Sequence, residues 1–154
     1  MKQKGITVLV VDDEKDFANT LAQRLTMRDL KTDTAYDGEQ ALSKLKEKKP
    51  DVIVLDLKMP GMHGMEVLQE IKNVYPDMQV IMLTGHGTDR DQEEAKRLGS
   101  FDFLNKPADI DHLEHKIRKA YEEKLERTLS AIAFAKGGEC DTARKIPKDE
   151  DANT

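Results

Sequence analysis

Asp12 and Asp13 follow one apolar run, Asp56 follows another, Thr84 follows a third, and Lys106 closes a fourth. Three aspartates drawn into one partly desolvated place would repel one another, and a divalent cation would relieve that repulsion. Carboxylate oxygens are hard ligands suited to magnesium, which keeps several waters and binds through one or two carboxylates plus phosphate oxygens. Thr84 offers a hydroxyl donor and Lys106 an ammonium. Phosphoryl transfer spreads charge over three equatorial oxygens, so metal, hydroxyl and ammonium are the groups it needs. Asp56 stands alone at the end of its run and is the nucleophile candidate. Asp13, with Asp12 behind it, would hold the metal, and Gly85 leaves a ligand room to approach Thr84. A single aspartate at such a place is most often a helix cap or turn former. Asp37 before Gly38, and Asp109, read that way. Five polar residues arriving on four run ends do not.

The elements that must deliver these residues show in the periodicity. The run 6–11, ITVLVV, is continuously apolar, as expected of a parallel strand covered on both faces. Phe17, Leu21 and Leu25 recur every four residues, the mark of an amphipathic helix. Residues 30–36 read as a more polar strand near an edge, and Ala41, Leu42 and Leu45 mark a second helix. A second central strand occupies 51–56. After the turn at Pro60-Gly61, Met65, Leu68, Ile71 and Val74 lie on a helix, and 80–83 form the next strand. A helix over 91–98 has few apolar residues, chiefly Ala95 and Leu98; a fifth strand spans 101–104, and the last helix starts near Asp109. Five strands, each followed by a helix across short connections, predict an α/β, doubly wound parallel sheet. Right-handed crossovers place all the strand C-termini along one edge, where such sheets bind ligands.

Composition narrows the class further. A chain of 154 residues buries roughly 70% of its extended surface on folding, enough for one domain with a real core. Its net charge of -5 argues against nucleic acid as a direct partner, because phosphate binding needs a basic face. The single cysteine, Cys140, can form no internal disulfide, and no stretch approaches the roughly 18 apolar residues of a membrane span. With no signal-peptide pattern at the N-terminus, a cytoplasmic location is expected.

The segments VDDE at 11–14, DLKMPGMHG at 56–64, LTGHG at 83–87 and FDFLNKP at 101–107 together resemble the receiver domain of bacterial two-component response regulators. The resemblance covers residues 4–122 and is nearest to receivers of the nitrogen-regulation kind. It implies a flavodoxin-like (βα)5 fold with strand order 2-1-3-4-5 and Asp56 as the phosphoacceptor, supplied by a sensor histidine kinase or a small phosphodonor. It implies magnesium on Asp13, Asp56 and the backbone carbonyl of Lys58, with Asp12 contributing through water, and a cis Lys106-Pro107 bond. On phosphorylation Thr84 would move toward the phosphoryl group and Phe103 would turn inward behind it. The face of the fourth helix, fifth strand and fifth helix would then change its protein contacts. Lys58 and His86, two residues beyond Asp56 and Thr84, stand where the family tunes hydrolysis. The chain would assist its own phosphorylation and dephosphorylation without turning over an external substrate.

Beyond the minimal domain, Ile110, Leu113, Ile117, Tyr121, Leu125, Leu129 and Ile132 continue one near-helical stripe. Residues 123–136 read as an extension of the last helix whose apolar side needs a partner, whether the domain, a second copy or another protein, and 137–154 as a disordered tail. Too little chain remains there for a DNA-binding or enzymatic domain, so unless the chain is a fragment, output is expected through an unknown downstream protein. His112 and His115 read as solvated helix residues. A phosphorelay intermediate shares every one of these features. An aspartate-nucleophile phosphatase would place a second acid where Lys58 stands, and a flavin carrier would need a phosphate-cradling loop in place of Asp-Asp-Glu.

Overall fold

The computed structural model describes residues 5–137, with side chains through residue 133. Strands β1 (Ile6–Val11), β2 (Leu30–Ala35), β3 (Val52–Leu55), β4 (Gln79–Thr84) and β5 (Asp102–Asn105) alternate with helices α1 (Lys15–Thr26), α2 (Gly38–Glu47), α3 (Gly64–Val74), α4 (Asp89–Arg97) and α5 (Ile110–Gly137). The strands form one parallel sheet in the order β2-β1-β3-β4-β5. This is the doubly wound, flavodoxin-like arrangement expected.

Successive side chains of a strand point to opposite faces, so each continuous apolar run feeds two cores. Leu9, Val11, Ile53, Leu55, Val80 and Met82 face the layer carrying Val67, Leu68 and Ile71 of α3. Val8, Val10, Val54, Ile81 and Leu83 face the layer carrying Leu21 and Leu25 of α1 and Leu113 and Ile117 of α5. Each fully buried aliphatic side chain contributes about 1.5–3 kcal/mol of transfer free energy. Polar, half-exposed β2 takes one sheet edge, as its composition predicts.

Local signals set the helix starts. Asp37 caps α2, its carboxylate accepting from the Gln40 amide, and Thr88 and Asp91 form a reciprocal box at the start of α4. His63, expected only in a turn, caps α3 by accepting from Met65 N while Glu66 accepts from His63 N. Helix α4 begins at Asp89, two residues earlier than the apolar pattern suggested, because the Thr88 cap and not the apolar face sets its start. Likewise β5 begins at Asp102, as Phe101 N donates to Val80 O before the ladder opens. Asp29, at the end of α1, takes a left-handed backbone with φ 68°.

The chain divides into two compact units between Tyr121 and Glu122. In the second unit Glu123 pairs with Arg127 at 3.1 Å, and Leu125, Leu129 and Ile132 are exposed. The tail expected beyond Gly137, with Cys140, lies outside the described residues. Among the described residues no helix is long and apolar enough to cross a membrane.

Candidate functional site

Register brings the polar residues together. Val11 pairs with Leu55, so Asp12 and Asp56, each one residue further on, emerge side by side. Thr84 pairs with Asn105, which sets Lys106 one step beyond it. Asp56 N donates to Val11 O and Lys106 N to Thr84 O, each at 2.9 Å, and these bonds fix both loops at their roots. The Lys106-Pro107 bond is cis.

Carboxylate oxygens of Asp12, Asp13 and Asp56 lie within 4.8 Å of one another. Asp12 is nearly fully buried; its Oδ2 accepts from Lys106 Nζ at 2.7 Å and its Oδ1 from Glu14 N at 2.9 Å. Asp56 Oδ1 accepts from Leu57 N at 2.8 Å, while its Oδ2 lies 3.9 Å from Lys106 Nζ. The Thr84 hydroxyl accepts from His86 N at 3.2 Å and turns its own proton toward Asp56. An open cleft of about 430 Å³, lined by Asp13, Asp56, Lys58, His86 and Lys106, lies over this group. Another cavity, about 300 Å³ and lined by Thr7, Leu9, Lys31 and Lys44, sits at the opposite end of the strands. It holds none of the site residues.

Burial, then the Asp12 carboxylate, pushes Asp56 from its ordinary 3.8 up to about 6, against the pull of Lys106, the Thr84 hydroxyl and the Leu57 amide. Burial likewise raises Asp12. For Lys106, burial pulls downward, but bonds to Asp12 and Glu14 outweigh it and keep the ammonium charged. Hard oxygens crowded against their own repulsion are the donor set a small divalent cation fits. A carboxyl raised in the fold binds more protons there than in the unfolded chain. The contribution of Asp56 to stability therefore falls as pH rises from the ordinary carboxylate value through about 6. In EDTA, Asp56→Asn should melt above the wild type at about pH 7, and the gap should shrink toward about pH 4. Magnesium should close it at the higher pH. Parallel melting curves across the range would contradict this.

Every residue singled out from the sequence as carrying the chemistry lies around this edge. Phe103 is buried, and its ring rests on the space beside Gly87, where a Cβ would stand 2.5 Å from Cζ. Lys58 is exposed at the cleft. His112 and His115 are exposed, as expected. Sequence reasoning passed over two residues. Glu14 Oε1 accepts from Lys106 Nζ at 3.0 Å, and the Phe17 ring lies 4.2 Å from that ammonium. The signal available was an aromatic three residues after the acid, on the first turn of α1.

The model of the response regulator receiver domain matches residues 8–118. The transcriptional regulatory protein GlrR of Escherichia coli K12 is 38% identical over 128 residues, which cover 83% of this chain and 29% of that protein. The DNA-binding transcriptional regulator NtrC of Salmonella typhimurium is 33% identical over 149 residues, 97% of this chain and 32% of that protein. A response regulator from Burkholderia pseudomallei, solved with a phosphorylated aspartic acid, calcium ion and citrate, superposes with a TM-score of 0.70 at 27% identity. That superposition covers 81% of this chain and 74% of the other. The chain spans under a third of the length of the two curated relatives. Their being transcriptional regulators overturns the exclusion of nucleic acid drawn from net charge, because a basic surface can reside in a part of such a protein that the acidic receiver does not include. With the family's model spanning both cores and the whole polar edge between them, this chain belongs to the response regulator receiver domain family.

Proposed function

We propose that this receiver is a phosphorylation switch in which Asp56 is the acceptor, phosphorylated by a sensor histidine kinase or a small phosphodonor. The supporting observation is the placement of Asp56 Oδ2 beside the carboxylates of Asp12 and Asp13 and 3.9 Å from Lys106 Nζ. In the transfer, an Asp56 oxygen forms the new bond to phosphorus while the bond to the donor's nitrogen or oxygen breaks and its electron pair leaves with the donor. Asp13, Asp56 and the Lys58 carbonyl would hold magnesium, with Asp12 acting through water; the ion supplies charge to the equatorial oxygens. Lys106 donates to one of those oxygens and the Thr84 hydroxyl to another. Phe103 fills the space behind Thr84, so movement of Thr84 reaches the face of α4, β5 and α5. Ala95 is the buried residue of α4, which leaves that helix weakly anchored and suited to shifting. Lys58 and His86, which line the cleft, would tune water's access to the phosphoryl group.

Incubation with acetyl phosphate and magnesium should add one phosphoryl group, located at Asp56 by borohydride reduction and peptide mass. Repeated turnover of an external phosphomonoester would instead favour the phosphatase reading. The partners proposed are a sensor histidine kinase and a downstream protein that reads the α4-β5-α5 face.

A second copy of this chain is the occupant we propose for Leu125, Leu129 and Ile132. Their spacing of four and three is that of a paired-helix seam, and Glu123 and Arg127 flank it. The wild type should sediment as a dimer and Leu129→Asp as a monomer; identical masses would refute the pairing.

A further inference from the structure

We propose that Glu14 is a resident competitor for Lys106. It would hold the ammonium in the unphosphorylated chain and yield it when a phosphoryl group arrives on Asp56. The inference rests on the reading of Asp56 as the acceptor.

The ammonium has three donors. One reaches Asp12 at 2.7 Å and another Glu14 at 3.0 Å, while Asp56, at 3.9 Å, is beyond hydrogen-bond range. The third donor is left for a phosphoryl oxygen on Asp56, but shifting the ammonium toward Asp56, 3.9 Å away, lengthens a bond it now has. Side-chain exposure decides which one. Asp12 is 3% exposed and Glu14 67%. Breaking the first bond would leave a buried carboxylate without its cation, which is costly. Breaking the second returns a surface carboxylate to water, and exposed pairs of this kind shift an equilibrium only about 1.4- to 5-fold. Glu14 is therefore the partner that yields.

Phe17 keeps the exchange local. Its half-buried ring packs against the core between the sheet and helices α1 and α5 and lies 4.2 Å from the ammonium, within the distance at which a cation is held over an aromatic face. Lys106 can thus pivot between Glu14 and the Asp56 oxygens over one fixed ring. Glu14 and Phe17 act through Lys106 and are positioning residues. Together they bias the unphosphorylated state without touching phosphorus.

Glu14→Gln should bind beryllofluoride with magnesium about two- to fivefold more tightly and label faster with acetyl phosphate. Removing a negative charge would help any anion, so the decisive arm is a double-mutant cycle with Lys106→Ala, which should still label, more slowly. In that background Glu14→Gln should change the labelling rate little. An equal gain in both backgrounds, or no gain in either, overturns the proposal. A metal-free reading comes from the Lys106 15Nζ resonance in EDTA. It should be sharp in the wild type and broaden through faster proton exchange in Glu14→Gln and Phe17→Leu; an unchanged resonance would deny the contact. Failure of the wild type to label at Asp56 would overturn the acceptor reading, whereas labelling at Asp56 with no response to Glu14→Gln overturns the competitor alone.

Discussion

Asp56→Asn is expected to abolish covalent labelling by acetyl phosphate in the presence of magnesium, with loss to background. An amide oxygen is a poor nucleophile toward phosphorus and forms no stable acyl phosphate. The fold should survive, because asparagine keeps the side-chain oxygen that accepts from Leu57 N at 2.8 Å. Removing one charge from a site where burial and Asp12 both oppose ionisation should also stabilise the chain when metal is absent. Loss of labelling together with a higher melting temperature is therefore the specific outcome; loss through unfolding would lower it. The neighbouring acids are poor substitutes. The Asp12 side chain is 3% exposed and bonded to Lys106, and Asp13 is assigned to the metal. Intact mass and peptide mapping of the variant supply the check, and label found on Asp12 or Asp13 would remove Asp56 from its assigned role.

Gly64→Ala is expected to cost about 3 kcal/mol or more of stability and to impair phosphorylation with it. A Cβ at this position would stand 2.2 Å from Asp56 O and 2.7 Å from both Cα and O of Leu57. All three are backbone atoms, so no side chain can swing aside. The Gly64 amide also donates to Leu57 O at 2.8 Å, which closes the loop that carries Lys58 back onto the strand. Any relaxation must move the segment that aims Asp56. Gly61 provides the contrast. Nothing lies within 4 Å of its added Cβ, but its φ is +81°, so Gly61→Ala should cost only about 1–2 kcal/mol of backbone strain. Urea denaturation of the two variants, with labelling rates measured beside it, separates crowding from strain. Equal losses would mean that the close approach at Gly64 is not what the loop depends on.

Much of the fold was legible because strand and helix periods are local. Continuous apolar runs marked strands buried on both faces, and the polar composition of β2 marked an edge. Site chemistry was legible for the same reason: Asp12, Asp13, Asp56, Thr84 and Lys106 each sit where an apolar run stops, and parallel strands carry such positions to one edge. The resemblance supplied the strand order, which periodicity cannot, since every order buries the same runs. His63 as a cap escaped notice because an imidazole is a rarer cap than a hydroxyl or carboxylate.

Sequence by itself therefore determined the elements, the edge and the residue types that meet there. Tertiary structure decided how those residues are partnered. Pairing of Val11 with Leu55 set Asp12 beside Asp56, and the depth of Asp12 against the exposure of Glu14 set which carboxylate holds Lys106 firmly. Glu14 and Lys106 are 92 residues apart in the chain. No local pattern encodes a contact at that separation, because it exists only after five strands have taken their register and two loops have converged on one ammonium.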